Sequence, residues 1–254
     1  MKLSRLSTSL ALVAGSVALL SGVAAAAGPS LNILCAAATA TTVTQLAESY
    51  TRASGIPVRI TAGTASQLRE KLNAGERADL IILPAPTIDE LDKSGVLVPG
   101  SRADLGRTGM GVGIRVGTKA PDLSSTEALK QALLAAKSVA YSDPAAGATS
   151  GIYFTKVLGQ LGIADAVTQK AKLASGGSCG LVADGSAEIC VGNVTQILGV
   201  KGVVLAGPFP AAVQNFITYS AGIPKNAPSV ESARAFAGYL TDVSLAAVWN
   251  SAGF

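Results

Sequence analysis

A chain of 254 residues that is 49% hydrophobic and only 14% charged can bury a large core, and its formal net charge of +4 is too small and too scattered to form a basic stripe. Aromatic residues make up 4% and do not interleave with runs of Lys or Arg, which argues against nucleic acid as a partner. Histidine is absent, and with it go Ser-His-Asp and Cys-His hydrolases, His-ligated metals and imidazole proton shuttles.

The first segment reads as an address. Lys2 and Arg5 precede an apolar run over 10–20 and a small-residue stretch, SGVAAAA, over 21–27. That order fits a secretory signal peptide over 1–27, cleaved near Ala27/Gly28, and implies export to the periplasm. Cleavage removes Lys2 and Arg5 from the 20 basic residues and leaves a net charge of +2 against 16 acids. Cys35 is preceded by Leu34 and lies inside the apolar run 31–38, so it reads as a buried strand cysteine rather than a lipid attachment point.

Beyond the leader the pattern alternates strand and helix. Strands are expected at 31–35, 58–61 and 78–83, with helices at 39–54 and 66–74 between them, ended by Gly55 and Gly75. Thr87 and Glu90 have the spacing of a capping box for a short helix that stops at Gly95. Residues 109–116 (GMGVGIRV) alternate Gly with apolar side chains, as an extended segment does where backbones approach closely. Ser124 and Glu127 cap a helix reaching Lys137; a strand follows at 138–142, a helix at 149–161, strands at 187–191 and 202–206, an extended segment at 216–223 and a helix at 229–240. This alternation implies an α/β protein with mostly parallel sheets flanked by helices, and ligands in such sheets sit beyond the carboxyl ends of the strands.

Four segments at those ends are built almost wholly of Ala, Gly, Ser and Thr: 33–42, 60–68, 141–152 and 173–181. Helix starts present unpaired N–H groups and the positive end of the dipole, so small neutral residues there leave room to grip an anion. Two of these cups fall in each half, which predicts two lobes with a cleft between them: 28–107 and a C-terminal return at 223–254 in the first lobe, 108–222 in the second, with crossings near 106–113 and 219–222. Arg69 and Arg115 are further candidates for leaning over the cleft. Such a site binds and does not catalyse, so the chain is expected not to be an enzyme. Of the three cysteines, Cys179 and Cys190 flank a short turn and are the natural disulfide pair, with two free thiols as the alternative. If Cys179 were free, its place at a helix start would make it the one candidate nucleophile, and a ligand sensor is a third class of function. No metal-cation site and no cofactor are expected.

CAAAT at 35–39, Ser66-Gln67-Leu68, Ala74-Gly75 before Ala78-Asp79-Leu80, Asp143-Pro144 before Ser150-Gly151-Ile152-Tyr153, and the closing Gly253-Phe254 resemble, in order, the periplasmic molybdate-binding proteins of ABC importers. The resemblance implies a two-lobed type II periplasmic binding fold, working as a monomer, that closes over a small oxyanion such as molybdate or tungstate and hands it to an inner-membrane ABC permease. By position it assigns ligand contacts to Thr39, to Thr64, Ala65 and Ser66, to Ser150 and Gly151, and to Gly177 and Ser178. The family's ligand-binding Tyr is missing after the strand 187–191, where Asn193 is the candidate replacement donor, with a plain helix cap as the equal alternative. A small organic carboxylate in the same cleft is the alternative ligand.

Overall fold

Strand β1 (Leu31–Ala36) is buried at five of its six positions, and its side chains alternate between two separate cores. Leu31, Ile33 and Cys35 pack with Val43, Leu46, Phe236 and Trp249 on one side of the sheet. Leu34 and Ala36 pack with Leu68, Ile81, Leu83 and Ile88 on the other. A strand apolar on both faces needs a helical layer over each, which is why the sequence reads as a continuous apolar run instead of an alternation. The computed structural model describes residues 30–175 and 177–254, so the leader expected over 1–27 lies outside the described residues.

The first lobe continues with α1 (Ala37–Ser54), β2 (Val58–Gly63), α2 (Ala65–Asn73), β3 (Leu80–Pro84), α3 (Ala85–Lys93) and β4 (Ala103–Thr108). The chain then crosses at Gly109 into β5 (Met110–Arg115), α4 (Thr126–Ala135), β6 (Val139–Ser142), α5 (Thr149–Leu161), α6 (Ala164–Thr168), β7 (Ala171–Ala174), α7 (Gly180–Ala183), β8 (Ile189–Asn193), α8 (Val194–Leu198) and β9 (Val203–Pro208). It returns through β10 (Ile217–Gly222) and ends in α9 (Val230–Leu240) and α10 (Ala246–Ser251). The sheets have strand orders β2-β1-β3-β10-β4 and β7-β6-β8-β5-β9. In each, a parallel trio is joined to antiparallel strands, with β10 running against β3 and β4, and β5 against β8 and β9. The expected α/β architecture of two helix-flanked sheets is the observed one.

Two side chains fix its geometry. Asp79 is fully buried at the end of lobe 1 away from the cleft, where its carboxylate accepts from Asn32 N and Ser229 N, both at 2.8 Å, and so ties the start of β1 to the start of α9. At the hinge, Gln214 Oε1 accepts from Met110 N at 2.7 Å while its Nε2 donates to Met110 O at 3.0 Å and Phe209 O at 3.3 Å. One carboxamide thus holds the outgoing and returning strands together.

Several expectations need correction. Because β10 pairs with β3 and β4, the return crossing runs through 209–216, and 217–222 belongs to lobe 1 rather than to a second lobe reaching 222. Helix α1 starts at Ala37, two residues before Thr39, since β1 turns into it without a loop. Helix α3 likewise follows β3 directly with Pro84 as N-cap, which leaves Thr87 and Glu90 inside it. The hydroxyl capping α4 is that of Ser125, accepting from Ala128 N, not that of Ser124. Strands β4 and β7 lie at sheet edges, half exposed, and their mixed sequences ADLGRT and AKLA carry no strong apolar period.

Candidate functional site

Between the lobes lies a small cavity of about 30 Å³, lined from both sides by the carboxyl ends of strands and the helix starts that follow them. The N-cap residues of α1, α2, α3, α5 and α8, namely Ala36, Thr64, Pro84, Ala148 and Asn193, all stand on its wall. No Asp, Glu, Lys or Arg lines it among the described residues. The polar groups are therefore backbone amides, the hydroxyls of Thr64, Ser142, Thr149, Ser150, Ser175 and Tyr219, and the carboxamides of Asn193 and Gln196.

The first cup works through its backbone. Ala36, Ala37 and Ala38 line the cavity. Thr39 does not: it is fully buried, its hydroxyl donates to Ala36 O at 2.9 Å, and Cys35 Sγ lies 3.0 Å from Thr39 Oγ1. Burial pushes the Cys35 thiol up to about 12, against the smaller opposite pull of Thr39, so it is a neutral group behind the wall.

In the second cup Thr64 closes a capping box with Gln67, and its hydroxyl also donates to Ala146 O of lobe 2 at 2.8 Å. Ala65 is on the wall; Ser66 is exposed and faces Gly147 across the gap between lobes. The third cup brings Ala148, Thr149 and Ser150 to the cavity. Gly151 instead lets α5 pack onto Ser142, since a Cβ there would overlap Ser142 O. Asp143 makes the turn before it, accepting from Ala145 N at 2.9 Å.

The fourth cup differs from its reading. Helix α7 has only four residues, and neither Gly177 nor Ser178 lines the cavity; Ser175, at the end of β7, does. Cys179 and Cys190 are joined in a disulfide beneath it, which removes Cys179 as a candidate nucleophile. Arg69 pairs with Glu90 at 3.0 Å on the surface. Arg115 donates through Nε and Nη2 to Val182 O at 3.2 and 3.1 Å, which pins α7. Neither arginine reaches the cleft.

Sequence reasoning passed over Tyr219. It is carried by β10 of lobe 1, 2% exposed, and its hydroxyl accepts from Asn193 Nδ2 of lobe 2 at 3.2 Å. The Phe254 ring packs against it edge-on at 6.3 Å, and Phe254 in turn meets Trp249 at 4.9 Å, so the C-terminal tail sets the position of the phenol. Burial raises the Tyr219 pKa, which keeps the hydroxyl protonated. Asn193 is 2% exposed; Gln196 Oε1 accepts from its backbone N at 3.4 Å, in the sense of a capping box. The return contact, from Gln196 N towards Asn193 Oδ1, is a loose one, and Oδ1 makes no other hydrogen bond. Among the described residues no group of His, Cys, Asp and Glu could hold a metal ion.

A family profile described as bacterial extracellular solute-binding protein matches residues 31–254. The chain is 29% identical over 231 residues, 88% of it and 87% of the relative, to a protein of Pseudomonas sp named aconitate isomerase. Its structure is similar to the Azotobacter vinelandii periplasmic molybdate-binding protein (TM-score 0.74, 22% identity, 88% of this chain and 97% of that one). It is also similar to a sulfate-binding protein from Mycobacterium tuberculosis H37Rv (TM-score 0.68, 15% identity, 89% and 86% covered). The two structures speak for the fold. The relative from Pseudomonas overturns the expectation that the chain is not an enzyme, because it bears an enzyme's name over most of its length. That expectation leaned on the missing His and the neutral cleft, and chemistry that only relocates a proton requires neither an imidazole triad nor a metal.

Proposed function

The chain belongs to the bacterial extracellular solute-binding protein family, and from that premise we propose that it is exported after cleavage near Ala27, encloses a small organic polycarboxylate of the aconitate class between its lobes, and passes it to an inner-membrane ABC permease. The observation that carries the reading is the cavity itself, walled from both lobes by neutral donors and helix starts, with no carboxylate among the described residues to repel an anion. Backbone amides of 36–38, Thr64, Ala65, Thr149, Ser150, Ser175, Asn193 and Tyr219 are the proposed ligand contacts. The carboxylate is preferred to molybdate because the relative named for aconitate is 29% identical over 88% of the chain, whereas the molybdate-binding likeness, at 22%, is one of fold. Five or six hydrogen bonds of roughly 1–2 kcal/mol each suffice for micromolar affinity once ordering costs are met.

Calorimetry and melting shifts with cis- and trans-aconitate, smaller dicarboxylates, molybdate, tungstate and sulfate test it. Heat and a raised Tm with the carboxylates are expected; a response to molybdate or tungstate alone would return the cleft to the oxyanion reading.

The name of the same relative favours a second reading, that the bound acid is isomerised in place. Shifting the double bond between allylic carbons takes one proton off and puts one back, and Tyr219 is the ionisable side chain on the cavity wall. Proton NMR of either aconitate isomer incubated with the protein in D2O reads this directly, as appearance of the other isomer.

A further inference from the structure

We infer that Gly253 and Phe254 are positioning residues for the cleft, a brace that couples closure of lobe 2 to the placing of the Tyr219 phenol on the ligand. The inference deepens the reading of a ligand enclosed between the lobes and rests on it.

The need for a brace begins in the sheet. Tyr219 of β10 stands opposite Gly106 of β4, so the side chain that would flank its ring from the neighbouring strand is missing. The Phe254 ring takes that place. A Cβ at Gly106 would come within 3.0 Å of Phe254 Cβ and 3.2 Å of its Cδ1, and the ring meets Tyr219 edge-on at 6.3 Å. The phenol is thus steadied by the tail and not by the next strand. Lobe 1 holds the tail in turn: Phe254 N donates to Trp249 O at 3.1 Å, the two rings meet at 4.9 Å, and Trp249 Nε1 donates to Leu240 O at 2.9 Å.

The other end of the brace touches lobe 2. Gly253 has a φ of +92°, and a Cβ there would lie 2.8 Å from Val194 Cγ1 and 3.2 Å from Leu198 Cδ1, both on α8. At the far end of the same helix a Cβ at Gly199 would lie 3.0 Å from Thr41 Oγ1 of α1. Helix α8 therefore rests on lobe 1 at two places, each with a glycine on one side. Its N-cap, Asn193, donates through Nδ2 to the Tyr219 hydroxyl at 3.2 Å. These contacts close a circuit from Asn193 to Tyr219, Phe254, Gly253 and back to α8. Parting the lobes takes α8 off the tail and the Asn193 donor off the phenol together; closing them holds the phenol from both sides. Tyr219 lines the cavity whereas Gly253, Phe254 and Trp249 do not, so the tail acts through Tyr219 and not on the ligand.

Two measurements on the mature chain test it. Trp249 is the single tryptophan and does not line the cleft, so its emission reports the tail. Titration with trans-aconitate should shift that emission with the same midpoint as the calorimetric heat. The second measurement is a cycle of Phe254→Leu and Tyr219→Phe, each checked for folding by its melting transition. Phe254→Leu should weaken binding about fivefold in the parent but less than about twofold where Tyr219 is already replaced, because no hydroxyl is then left to aim. A Phe254 that only filled the core would cost the same affinity in both backgrounds. Heat without any change in Trp249 emission, or equal losses in the two backgrounds, overturns the inference and leaves the carboxylate reading standing. Silence from trans-aconitate removes that reading instead; the emission titration and the cycle then decide the brace with molybdate, and silence from both ligands removes the brace as well.

Discussion

The two walls of the cleft are built on the same strand-to-helix plan, yet they hold out different chemistry. From lobe 1 the cavity receives Ala36, Ala37, Ala38, Gly63, Ala65 and Pro84, with Thr64 and Tyr219 as its polar side chains. From lobe 2 it receives Ser142, Thr149, Ser150, Ser175, Asn193 and Gln196, with Ala148 as its one apolar contributor among the described residues. Lobe 1 offers amides fixed by helices that begin directly at a strand end; lobe 2 offers side chains that a single substitution exchanges. On the carboxylate reading proposed above, affinity for negative charge is shared by the lobes, whereas the choice among anions of similar charge belongs mainly to lobe 2.

The largest break in that comparison is covalent. The Cys179–Cys190 disulfide closes a sequence separation of 11 residues inside lobe 2, and a link of that span contributes about 3 kcal/mol. Reduction, or Cys179→Ala with Cys190→Ala, should lower the melting of lobe 2 by that amount and leave lobe 1 in place, as hydrogen exchange along the two sheets would show. Cys35 of lobe 1 is the internal control. It is fully buried with its thiol pushed up to about 12, so it should stay unreactive towards a thiol reagent at pH 8 until the protein unfolds.

Next in size is the closed contact between lobes. Gly147 has a φ of +71°, and a Cβ there would overlap Ser66 Oγ and Cβ of the facing lobe. Gly147→Ala should strain lobe 2 modestly through its backbone and, separately, oppose closure by about 2 kcal/mol, or roughly thirtyfold in ligand affinity. Adding Ser66→Gly removes the facing atoms and should restore much of the affinity without restoring the melting temperature.

How far this cleft could be read from the sequence follows from the kind of signal each part leaves. The parallel strands β1, β3 and β6 are apolar runs, so the fold stands out, and the small-residue starts of α1, α2 and α5 mark three stretches of the cavity wall. Thr39 misled because a hydroxyl was sought where the chain uses bare backbone: Ala36, the true N-cap, makes no side-chain capping bond, and the helix is under way before Thr39 is reached. Gly177 and Ser178 misled because a helix of four residues looks, in sequence, like the start of a longer one. Tyr219 stayed hidden for a topological reason. Its strand enters lobe 1 antiparallel from the far end of the chain, and no local pattern near 219 says that it will meet Asn193 of the other lobe.

A smaller effect separates the walls as binding surfaces. Ser150→Ala in lobe 2 deletes a hydroxyl from a residue that is 5% exposed, and should weaken the carboxylate complex by about 1 kcal/mol while changing the ranking of dicarboxylates. Ala37→Gly in lobe 1 keeps the amide in place; it should cost the helix roughly 0.5–1 kcal/mol in stability but leave that ranking alone. If both variants reorder the ligands equally, the division of labour between lobes fails.

The faintest test concerns the outer edge of lobe 1, where Arg102 bridges Asp104 of β4 and Asp89 of α3, and Ser220 of β10 donates to Asp104 Oδ1 at 2.6 Å. The Arg102 guanidinium first, and the Ser220 hydroxyl second, hold the Asp104 carboxyl below the usual range. A depressed folded pKa means that this contribution is present above the ordinary carboxylate pKa and is lost as pH falls through the depressed value. Both partners are more than a third exposed, so solvent screening keeps the bridge below about 1 kcal/mol. Arg102→Met should therefore lower Tm slightly at pH 7, with the gap to the parent closing as the solution is acidified past the ordinary carboxylate range. Because the bridge joins strand, helix and the returning strand of lobe 1 alone, that pH-dependent gap should appear in the melting of lobe 1.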